Sequence, residues 1–151
     1  MLVYTRLKHC SYGVVRSMSS RRWLQADGAF LATVGIVQVV QELLGHFAGK
    51  GMLAAAFEHS PYTIGFVEAH ALAATVGVLL IRFSESPDVR FWHLYAVLVH
   101  VILGGANVLF WDSFQAFGLT AMGIGATALH GLFIVGHAVR YGKVKGGGHA
   151  A

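Results

Sequence analysis

The sequence predicts an all-α integral membrane protein, an antiparallel bundle of four spans with both termini on the cytoplasmic (or matrix) side. Three observations predict it. The 151-residue chain is 56% hydrophobic and only 12% charged, about half the charged share usual for a soluble domain. Four apolar runs are each long enough to cross a bilayer, which takes about 20 helical residues. The basic residues gather at the ends of those runs rather than in a stripe, so the net charge of +4 speaks for orientation in a membrane and not for nucleic acid.

Residues 1–28 form a basic N-terminal tail, with Arg6, Lys8, Arg16, Arg21 and Arg22. Its first 26 residues hold no acid, a composition shared with mitochondrial targeting segments. A basic tail that orients the first span is the simpler reading. Cys10 is the single cysteine, so no internal disulfide is expected. The four-span domain covers 29–141. Span one runs from Ala29 to Phe47 and carries Gln38, Glu42 and His46 at intervals of four, one polar stripe on a helix. The connection "AGKGMLAAAFEHSP" leads to span two, Tyr62 to Ile81, where Ala73 and Gly77 form a small-xxx-small pair suited to close helix packing. Glu68 and His70 point about 200° apart on it.

After "RFSESPDVR", span three runs from Phe91 to Trp111 with His93, His100 and Asn107 at intervals of seven. The short connection "DSFQ" makes span four, Ala116 to Val139, its antiparallel neighbour. There His130 and His137 continue a seam with Thr120 and Thr127. Residues 93 and 137, and likewise 100 and 130, are evenly placed about the turn. The two seams should therefore meet level by level. Residues 142–151 read as a disordered tail. Crossing four times puts every Arg and Lys except Lys50 on one side, the inner side by the positive-inside rule. The expected location is the bacterial inner membrane, with the mitochondrial inner membrane second.

A polar side chain in hydrocarbon faces other helices or a cavity. His100 and His130 lie near mid-span. Neutral imidazole ligates transition metals and haem iron. The expected cofactor residues are His70, His100 and His130, with haem b or a transition metal as the group. Glu42, Glu68, His100 and His130 are the metal candidates, and His46, His93, Asn107 and His137 are secondary. A redox role follows from that reading. The competing reading is a non-enzymatic scaffold or proton-linked transporter, whose histidines hydrogen-bond or relay protons. Partners are the lipid bilayer and either a second copy of the chain or a membrane redox partner.

In outline over residues 29–139 the chain resembles DoxX-like small four-helix membrane proteins. The likeness rests on the polar-edged first span, the apolar run "GMLAAAF" and the opening "GFVEAHALAATVG" of span two. Such proteins carry an acidic residue near the start of span two, here Glu68, and the resemblance implies redox or quinone metabolism. The histidine seams are not part of that pattern. A looser likeness is to small dihaem b-type membrane cytochromes, which carry bis-histidine pairs at two levels.

Overall fold

The computed structural model describes residues 2–144, with side chains described over 19–143. The elements are α1 (Leu2–Ala48), α2 (Ala54–Phe57), α3 (Thr63–Arg82), α4 (Val89–Leu109), α5 (Trp111–Ala116) and α6 (Thr120–Val144). Among the described residues there is no strand. Four stretches of the described residues are long and apolar enough to cross a membrane: Ser19–Ala48, Thr63–Arg82, Val89–Leu109 and Thr120–Lys143.

Several expected boundaries move. Span one begins ten residues earlier, because Ser19–Gly28 continues α1 rather than forming a tail. The connection "DSFQ" is helical within α5, closed by Gly118 at φ 68°. That left-handed conformation suits glycine and delays α6 to Thr120. Residues 142–144 of the expected disordered tail belong to α6, and 145–151 lie outside the described residues. Another left-handed glycine, Gly49 at φ 57°, turns the chain out of α1. It leads to α2, whose Phe57 is buried together with Leu53.

The four long helices form two close pairs, α1 with α3 and α4 with α6, and α1 also touches both α4 and α6. The first pair is close because it is built on glycine. A Cβ placed at Gly77 would stand 2.5 Å from the Gly28 carbonyl oxygen, and one at Gly35 would stand 2.6 Å from the His70 carbonyl oxygen. Backbone therefore lies directly on backbone, as small residues permit in membrane helices.

Burial is distributed as a lipid-facing chain requires. Ile36, Val37, Ile64, Leu72, Ile102 and Val135 are exposed, whereas Asp27, Glu42, His93, His100 and His137 are fully buried. Apolar side chains facing hydrocarbon cost nothing, while polar ones must be enclosed. A small apolar core of Leu24, Leu31, Ala73, Leu80 and Ala96 fills the remaining interior. The chain is thus a helical, multi-pass membrane protein.

A candidate proton-relay site centred on Asp27

The packing of α1 on α3 fixes the rotation of α1. Gly28 faces α3. The preceding residue is about 100° around the helix, so Asp27 faces α4 and α6. There its two carboxylate oxygens meet different helices: Oδ1 lies 2.9 Å from His100 Nε2 and Oδ2 lies 2.9 Å from His137 Nε2. Each of those rings meets a second imidazole. His100 Nδ1 is 2.8 Å from His130 Nδ1, and His137 Nδ1 is 2.7 Å from His93 Nδ1. The result is one chain of five titratable groups in hydrogen-bond contact: His93, His137, Asp27, His100, His130.

Aromatic rings hold this chain in place. Phe133 stacks on His100 with ring centroids 4.9 Å apart. Trp23 meets His137 edge-on at 6.2 Å and also packs against Phe133. Near one end of the chain lies a basic collar. Arg140 lies over the Trp23 ring at 4.2 Å, and Arg90 over the Tyr141 ring at 4.3 Å. Cation–π contact lets a guanidinium rest against an aromatic ring without a carboxylate partner.

The hydrogen-bond inventory fixes the direction of each bond once Asp27 is ionised. A carboxylate only accepts, so His100 and His137 both donate from Nε2. A neutral imidazole has a single N–H, which leaves Nδ1 of each as an acceptor. His130 and His93 therefore donate from Nδ1. Both arms point their protons toward Asp27, and each outer ring ends in a bare Nε2. His93 Nε2 is buried without a partner among the described residues. His130 is half-buried and lines a groove of about 440 Å³ between α4 and α6.

A second polar pair stands apart. His70 Nδ1 and Glu42 Oε1 are 2.5 Å apart, joining α3 to α1. Glu42 is fully buried and its Oε2 has no partner among the described residues. Along α1, Glu42 is about 22 Å from Asp27 at 1.5 Å per residue.

The expected site residues are thus divided between two places. His100, His130, His93 and His137 come together, paired 93 with 137 and 100 with 130 as the seam spacing predicts. Glu42 and His70 form the second pair. Glu68 is exposed on α3 and joins neither, since it sits two positions from His70 on the helix. His46 bonds the Phe57 carbonyl through Nδ1 at 3.2 Å, tying α2 to the end of α1. Asn107 is half-buried and makes no hydrogen bond among the described residues.

The geometry also bears on the expected cofactors. Both nitrogens of His100 are engaged, and Nδ1 of His70 is held by Glu42. A haem between His70 and His100 would require those bonds to break. The facing imidazole nitrogens are in hydrogen-bond contact, too close for a porphyrin between them. Among the described residues no group of three or more His, Cys, Asp or Glu is disposed around a metal-sized point. Asp27, the residue that organises the site, falls within the stretch 1–28 that composition marks as a basic tail. Its signal is the continuation of the buried stripe of span one: Glu42, Gln38, Gly35, Leu31, Asp27 and Leu24 follow each other at intervals of three or four. Comparison with known proteins gives no match, whether to a family model, a curated protein or a solved structure.

Proposed function

We propose that this is a proton-handling membrane protein of the proton-linked transporter class, in which Asp27 is a hub loaded with a proton through either of two histidine arms. The observation that carries the reading is the unbroken hydrogen-bonded chain from His93 to His130 through both oxygens of one buried carboxylate. Buried chains of Glu, Asp and His mark proton relays in membrane proteins. The steps balance bond by bond. A proton arriving at His93 Nε2 releases the Nδ1 proton of His93 to His137 Nδ1. His137 in turn releases its Nε2 proton to Asp27 Oδ2. Asp27 is then neutral, and the arm has its N–H groups reversed. The second arm loads Asp27 by the same steps from His130. Because one carboxylate serves both arms, a proton delivered through one removes the acceptor needed by the other. Onward passage requires the rings of the unloading arm to turn over, the reorienting step of a hydrogen-bonded wire. The Glu42–His70 pair is the next station beyond His130.

In this reading the four spans alternate in direction, with both termini and the basic collar on the cytoplasmic or matrix side. The level-by-level pairing of the α4 and α6 histidines supports the antiparallel order, and the grouping of Arg90 with Tyr141 and Arg140 with Trp23 supports a single basic end. The DoxX-like resemblance adds the four-span outline and no residue of the relay. The test is proton flux into liposomes carrying the purified protein, wild type against Asp27→Asn. Flux well above that of empty liposomes is expected in the first and background in the second.

A second reading, a transition metal held by facing imidazoles in a redox role, is favoured by one observation. Asp27 grips the far nitrogen of His100 and His137, and carboxylates orient metal-bound histidines in that way. Stoichiometric metal in the purified protein, lost in His100→Ala, would favour it over the relay.

A further inference from the structure

The arm that ends at His130 opens onto the surface of the protein within the membrane span. The groove there, about 440 Å³, is lined by Gly104, Gly105, Val108, Thr127, His130 and Gly131 among others. Its walls are apolar, and two polar groups converge on it. One is His130, whose Nδ1 is bonded to His100 while its Nε2 makes no hydrogen bond among the described residues. The other is Thr127, whose hydroxyl is buried and likewise unpartnered. The groove exists because glycine forms it. Gly104 admits the His130 side chain, where a Cβ would stand 3.0 Å from the His130 Cβ, and at Gly105 and Gly131 a Cβ would meet only open space. An apolar concavity with a few convergent polar groups is the usual form of a small-molecule site.

We propose that this groove binds a lipid-phase amphiphile that carries a hydroxyl group, held by donation of that hydroxyl to His130 Nε2. The inference rests on the relay reading, which leaves His130 Nε2 as a lone pair. A bare nitrogen selects a donor, so a ketone, ether or ester oxygen does not satisfy it. Thr127 is placed to serve the same hydroxyl as a second partner. Entry is from the bilayer, because the groove lies between two membrane-spanning helices whose neighbouring residues Val108 and Leu109 are exposed. A second copy of the chain is the poorer occupant: an apolar helix face pressed into the groove would leave both polar groups unpaired. The hydroxyl bound there sits at the end of the proton chain, so the occupant is placed to give a proton to the arm or receive one from it.

The test uses the full chain, labelled with 15N-histidine and reconstituted in bicelles, with 4-octylphenol as probe and its methyl ether as control. The phenol is expected to move the His130 Nε2 resonance saturably and the ether to leave it in place. Gly131→Leu, built into open space, is expected to weaken phenol binding by at least about tenfold while the histidine resonances of the probe-free protein stay where they were. Equal shifts with phenol and ether would overturn the inference, as would a bare Nε2 that ignores the phenol. A Gly131→Leu protein that changes oligomeric state and binds the phenol undiminished would overturn it in favour of an interface between copies. A His130 ring carrying its proton on Nε2 before any probe is added would overturn the relay reading, and this inference with it.

Discussion

At Asp27 a single side chain holds three helices in one arrangement. Its oxygens pair with α4 through His100 and with α6 through His137, and all three side chains are fully buried. Removing it would leave two buried N–H donors unpaired, each costing about 1–3 kcal/mol. Asp27→Ala should therefore lower stability by roughly 2–6 kcal/mol, read as an earlier unfolding midpoint in detergent. Asp27→Asn keeps one acceptor and should lose about half as much. The histidines were legible in the sequence because a deep histidine in an apolar helix has few explanations and their spacing sets the level of each. Asp27 was not, because it follows a run of basic residues and precedes the apolar run. By composition it belongs to a tail, and only the three-and-four spacing of the α1 stripe places it inside. Glu68 shows the opposite error. It was legible as an intramembrane acid, yet the rotation that brings His70 onto Glu42 turns Glu68 outward.

The helices owe their positions to where they lack side chains. α1 and α3 meet backbone to backbone at Gly28, Gly35 and Gly77, and this contact sets the face on which Asp27 emerges. Gly77→Ala would force a Cβ to within 2.5 Å of the Gly28 carbonyl and the Ala32 nitrogen, so the helices must separate. The expected cost is about 1–3 kcal/mol, the range for overpacking, again measured as an unfolding midpoint. Gly65→Ala, with open space around its Cβ, should be close to neutral. The packing role of Ala73 and Gly77 was legible from their spacing. α5 was not: six residues, "WDSFQA", are too few to show a helical period.

For the molecule as a whole, two helix pairs are joined mainly through α1, and Asp27, Glu42, His93, His100 and His137, which a bilayer would reject, are enclosed by the helices, with Glu68 left outside. The four spans and the basic end follow from composition and charge placement, which act over many residues and so survive errors at any one boundary. The proposed orientation predicts that a reporter active only on the cytoplasmic side works when fused at residue 86 and fails at residue 113. The relay itself depends on side chains from three helices meeting at one carboxylate. The most direct measurement of it is proton flux in liposomes with a dye trapped inside and a potassium diffusion potential as the driving force, comparing wild type, Asp27→Asn and Glu68→Gln. The account predicts that Asp27→Asn falls at least about tenfold, toward the level of empty liposomes, with the tenfold corresponding to 1.4 kcal/mol in the barrier, while Glu68→Gln stays at the wild-type rate. Flux in Asp27→Asn equal to wild type, or wild-type flux no faster than empty liposomes, would contradict it.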